Sequence, residues 1–117
     1  MQAVSKLVDF HHRVARNKHV LFVGYNAWFD ISFLDHLFRD QGGSWRALYH
    51  YFVLDLPSMA WSLGIKDLAG QEMASKLGIE QETTNPLEHT GITGAESNVG
   101  AYRALLRIKD ENSSNSQ

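Results

Sequence analysis

Val23-Gly24-Tyr25-Asn26-Ala27-Trp28-Phe29-Asp30-Ile31-Ser32-Phe33-Leu34 decides the fold of this chain. The run His19 to Gly24 that leads into it is β-branched and aromatic, which reads as a buried strand. The strand stops at a glycine, and a helix follows at once with Asn26 in place to cap it. Asp30 falls in the first turn of that helix. A carboxylate therefore sits at the C-terminal end of a strand, where open α/β sheets place their ligands.

Upstream, Val4, Leu7, Val8 and Val14 recur at helical spacing and predict a helix over Gln2 to Asn17. His11 and His12 are adjacent, about 100° apart on that helix, and read as partly exposed helix histidines. Lys6, Arg13, Arg16 and Lys18 give it a modest basic, solvated face. Downstream, Phe29, Phe33, Leu34, Leu37 and Phe38 form the apolar side of a helix over Ala27 to Gln41, ended by Gly42-Gly43. Ser44 to Tyr49 is a connection, and His50 to Leu54 a second buried strand. Pro57 opens a short helix over Ser58 to Leu63, which Gly64 stops. The next helix starts at Lys66 or Asp67 and ends at Gly78. Glu80 to Glu88 is a polar loop, followed by His89. A last helix runs from Thr93 to Lys109 with Ala95, Val99, Tyr102, Leu105 and Leu106 as its buried stripe. The tail from residue 111 is polar and expected to be disordered.

The order predicts an α/β domain over residues 1–110, with parallel strands joined by right-handed crossovers. Two strands alone make a marginal sheet with uncovered edges. Either further strands precede residue 1, or a second copy covers the edge; truncation is the favoured expectation.

Composition bounds the function. A net charge of −2, from 11 basic and 13 acidic side chains, argues against non-specific nucleic-acid binding through a basic surface. With no cysteine, disulfides, thiolate metal sites and a cysteine nucleophile are excluded. No signal peptide and no apolar run of membrane-spanning length is present, so a soluble cytoplasmic protein is expected.

Two stretches together carry a family resemblance. One is Asn26-Ala27-Trp28-Phe29-Asp30 with Phe33-Leu34; the other is His89-Thr90-Gly91-Ile92-Thr93-Gly94-Ala95, opening the last helix. They resemble the second and third motifs of the DEDDh 3′–5′ exonucleases, the proofreading-subunit-like branch of the ribonuclease-H-like fold. Val53-Leu54-Asp55-Leu56 resembles the strand between those motifs. The resemblance spans residues 2 to 109 and implies a partial ribonuclease-H-like exonuclease fold.

It also implies an activity: metal-dependent hydrolysis of single-stranded DNA or RNA from the 3′ end. In that family carboxylates hold two Mg²⁺ or Mn²⁺ ions over the terminal phosphodiester, and a histidine takes the proton of the attacking water. Carried over, Asp30 is the second-motif metal ligand and His89 the general base. Asn26, Trp28 and Phe29 flank the substrate, Trp28 being best placed to stack on a base. The Asp-x-Glu of the first motif has no counterpart here. The last carboxylate, five residues after the histidine, is replaced by Gly94. Glu96 lies two residues further, about 200° around a helix, and is a weak substitute. One carboxylate and one histidine cannot hold two hard cations, so the chain as given is expected to be inactive or weak. The alternative is a pseudo-exonuclease module for protein contact or weak nucleic-acid binding.

Each of these residues also has a plain structural reading. Asp30 can be a first-turn acid facing the helix dipole, and His89 a loop histidine bonded to backbone. Asp55 reads as an N-cap or a group behind a metal ligand. Trp28, Trp45 and Trp61 read as core or core-edge residues.

Overall fold

A computed structural model describes residues 2–79 and 91–115. The chain divides into two compact units, Met1–Asp55 and Leu56–Gln117.

In the first unit α1 (Gln2–Ala15) leads through a left-handed Arg16 into β1 (Val20–Gly24). His11 closes this corner. It is 6% exposed, and its Nε2 lies 2.8 Å from the Lys18 carbonyl, so the Nε2–H tautomer donates there. The expected partly exposed histidine is thus a buried clasp, while His12 is exposed, with Nδ1 3.3 Å from the Arg16 carbonyl oxygen. The two rings point apart because they are neighbours on a helix.

The second helix, α2 (Ala27–Asp40), packs on both β1 and β2 (Tyr49–Asp55). A 3₁₀ turn, Trp45–Ala47, is capped by the Ser44 hydroxyl, which accepts from the Arg46 N–H. The strands are parallel, as the alternation of elements predicts, with Val20 opposite Tyr49 and Gly24 opposite Asp55. Between Val20 and Phe22 the register shifts against the interval Tyr49 to Val53, so β2 carries a bulge.

Several predicted core residues stand elsewhere. Ala27 and Phe38 are buried, but Phe29 and Phe33 are 63% and 59% exposed. The sheet has two strands among the described residues, too narrow to cover the whole apolar face of α2. Trp28 and Trp61 are exposed and Trp45 is half-buried, its ring 6.4 Å from that of Tyr49. The core placement of Trp28 and Trp61 is corrected accordingly.

The second unit is helical: α3 (Leu56–Ser62), α4 (Gly70–Leu77) and α5 (Gly91–Asn115), with α3 and α4 both packing on α5. Gly78 ends α4 at φ 68°, the left-handed cap that glycine adopts without penalty. The buried residues of α5 are Ala101, Ala104 and Leu105, while Ala95 and Val99 are exposed. The close-packed stripe is therefore the small-residue one, a few residues further along than the apolar pattern suggests. Residues 112–115 are helical rather than the expected disordered tail. Once a helix is nucleated, each added residue needs one bond only, and weak formers such as Ser and Asn extend it. No described helix is long and apolar enough to cross a membrane.

Candidate functional site

The site is a corner where β1 ends and α2 begins. Asn26 sits in the left-handed region at φ 56°, ψ 58°, and its side chain makes no cap bond. Asparagine tolerates this conformation, and it turns the chain sharply from strand to helix. The capping is done from across the sheet: Asp55 Oδ1 accepts from the Ala27 N–H at 2.8 Å. The sequence expectation of Asn26 as a side-chain cap is corrected, and Asp55 is a cap, though of α2 instead of the helix that follows it. Parallel pairing makes this possible by setting Asp55 level with Gly24.

Gly24 matters for a second reason. A Cβ there would stand 3.0 Å from Asp30 Oδ2, 3.0 Å from Phe22 Cε1 and 3.4 Å from Ala27 Cα. Glycine therefore lets the Asp30 carboxylate lie directly against the end of β1. Burial there removes water from the carboxylate and raises its pKa above the ordinary aspartate value.

Asp30 lines an open groove of about 460 Å³ with Leu7, Phe22, Phe29, Phe33, Leu34 and Tyr49. That volume is in the range of small-ligand sites. The walls are four aromatic rings and two leucines, with a carboxyl and a phenol as the polar groups. Phe22 and Tyr49 meet edge to face at 5.7 Å, a favoured aromatic geometry. Burial raises the pKa of Tyr49 too, which keeps its hydroxyl neutral. Trp28 flanks the groove, 69% exposed, edge-on to Phe29 at 6.1 Å.

The structure thus brings together Asp30, Phe29 and the adjoining Trp28, with Asn26 exposed at the turn before them. Glu96 is exposed on α5, in the second unit. His89 lies outside the described residues. Gly24, Leu7, Phe22, Tyr49 and Asp55 are contributors that motif reading missed. Alternation along β1 marks Phe22 as an inward residue, but nothing in the local sequence marks the cross-sheet reach of Asp55.

The groove can be tested against the divalent cations the resemblance implies. Mg²⁺ and Mn²⁺ take oxygen ligands, and the lining supplies one carboxylate and one phenol among hydrocarbon. Among the described residues, no three histidine, aspartate or glutamate side chains cluster as a metal site. This donor set does not fit a two-metal centre, and no hydrolytic step is derived from it. What the arrangement can do is bury flat apolar groups beside one carboxyl. No family model, curated protein or solved structure matches this chain.

Proposed function

We propose that this chain is a diverged domain of the DEDDh exonuclease type that binds the 3′ end of a single-stranded nucleic acid without hydrolysing it. The observation that carries the reading is the aromatic groove around Asp30, whose lining has a single carboxylate. Parallel β1 and β2, with Asp30 at the C-terminal end of β1, agree with the ribonuclease-H-like arrangement. Exposed Trp28, Phe29 and Phe33 offer faces on which bases of any sequence stack. α1 contributes Leu7 to the groove and carries exposed Lys6, Arg13 and Arg16 for phosphates.

The test is fluorescence anisotropy with a short 5′-labelled single strand, with and without Mn²⁺, read alongside a gel for released mononucleotides. Binding without release is expected. Phe33→Ala should weaken it about 5- to 150-fold, the worth of one stacked base at ~1–3 kcal/mol. Mn²⁺-dependent release of mononucleotides that Asp30→Ala abolishes would restore the hydrolytic reading.

A second reading, a protein-contact module, is favoured by the apolar side chains on the strands. Leu21, Tyr51 and Phe52 are exposed, Phe52 at 74%, and exposed apolar patches mark contact surfaces. A concentration-dependent dimer in sedimentation, disrupted by Phe52→Lys, would support it; a monomer at all concentrations would remove the homodimer.

A further inference from the structure

The other end of the sheet carries a pair of histidines. His19 immediately precedes β1 and His50 is the second residue of β2; Val20 pairs with Tyr49 between them. The two rings lie 6.2 Å apart, centroid to centroid, tilted by 60°. Both residues are exposed. Among the described residues no hydrogen bond or ion pair engages either ring. The β2 bulge falls in this stretch, between Tyr49 and Val53, and bulges re-aim side chains.

The remaining described histidines differ. The His11 and His12 rings are 6.0 Å apart, but His11 is buried and its Nε2 is committed to the Lys18 carbonyl. His36 stands alone on α2 beside Asp40, at 3.6 Å. His19 and His50 are the described pair with both imidazoles open to solvent.

We propose that His19 and His50 form a two-imidazole site for a late first-row divalent cation such as Zn²⁺ or Cu²⁺, water completing the coordination. Imidazole suits these ions and not Mg²⁺. With a metal–nitrogen bond of about 2.0–2.1 Å, two imidazoles on one ion place their ring centres roughly 5–6 Å apart. The observed separation therefore needs only small side-chain rotations. Both ligands sit on hydrogen-bonded neighbouring strands, so the second binds at high effective concentration once the first is engaged. The site is about five residues along β1 from Gly24, or roughly 16 Å. It is therefore independent of the Asp30 groove.

Titration calorimetry of the whole chain with Cu²⁺ and with Zn²⁺ tests it. One equivalent is expected to bind. His19→Ala and His50→Ala should each weaken binding about tenfold or more, and to a similar level. His36→Ala and His12→Ala should leave it unchanged, and millimolar Mg²⁺ should not compete. Zn²⁺ should raise the melting temperature of the wild type and of neither strand variant. Both positions are exposed, so the variants should fold. Binding by either strand variant at wild-type strength, or no binding by the wild type at millimolar Zn²⁺, overturns the proposal.

Discussion

Replacing Asp55 with alanine tests how the corner is built. The lost contact is the 2.8 Å bond from the Ala27 N–H, at a residue only 1% exposed. The donor is left buried without its acceptor, and the N-terminus of α2 loses its anion. A hydrogen bond to a charged group contributes about 1.5–3 kcal/mol, and a helix-end charge adds ~0.3–1 kcal/mol. A loss of about 2–3 kcal/mol is expected. With a urea slope of ~1–2 kcal/mol/M, the midpoint should fall by about 1–3 M. Asp55→Asn keeps an acceptor oxygen without the charge and should lose roughly half as much. Trp28 lies in the first turn of α2, so its fluorescence, read in a Trp45→Phe, Trp61→Phe background, reports this corner directly. An Asp55→Ala midpoint within error of the wild type would refute the capping argument. Equal losses in both variants would transfer the effect from the hydrogen bond to the charge.

Gly24→Ala should destabilise by about 1–3 kcal/mol through overpacking, since its Cβ meets Asp30 and Phe22 at 3.0 Å; adding Asp30→Ala should recover part of the loss, and additive losses in urea melts would contradict the contact. Burial raises the Asp30 pKa, so the folded state disfavours the ionised form. Wild-type stability contributed by this group is full below the unfolded pKa and lost as pH rises through the raised folded value. Asp30→Asn should therefore stabilise at neutral pH, with the gain fading on acidification; a pH-independent difference would exclude the burial effect. His11→Leu removes the bond to the Lys18 carbonyl and should cost about 1–3 kcal/mol in a denaturant melt; a neutral result would show that packing alone holds the α1–β1 corner.

The elements that local pattern controls were legible. β1, α2 and β2 follow from the runs around Gly24 and Asp55, and the parallel pairing follows from their alternation with helices. Gly78 ends α4 because a left-handed cap favours glycine. Contacts set by distant partners were not legible. Asp55 caps a helix 28 residues away in sequence, and His11 is buried by a carbonyl in the next turn. Burial along α2 also failed to follow its pattern. Periodicity identifies an apolar face but not the width of the sheet beneath it, so Phe29 and Phe33 line an open groove. The Asp30 corner was found by motif, whereas the aromatic walls that define its chemistry, Phe22 and Tyr49, come from neighbouring strands.

The narrowness of the sheet has a consequence for how the chain must fold. Tyr49-His50-Tyr51-Phe52-Val53-Leu54 contains no proline and no fixed charge, the composition of segments that self-associate as strands. Its partner β1 lies across the whole of α2, so pairing must wait for a long loop to close. Until then, two such segments from different chains can meet first. Refolding yield should then be set by a race between an intramolecular closure and a bimolecular encounter, and dilution favours the native chain.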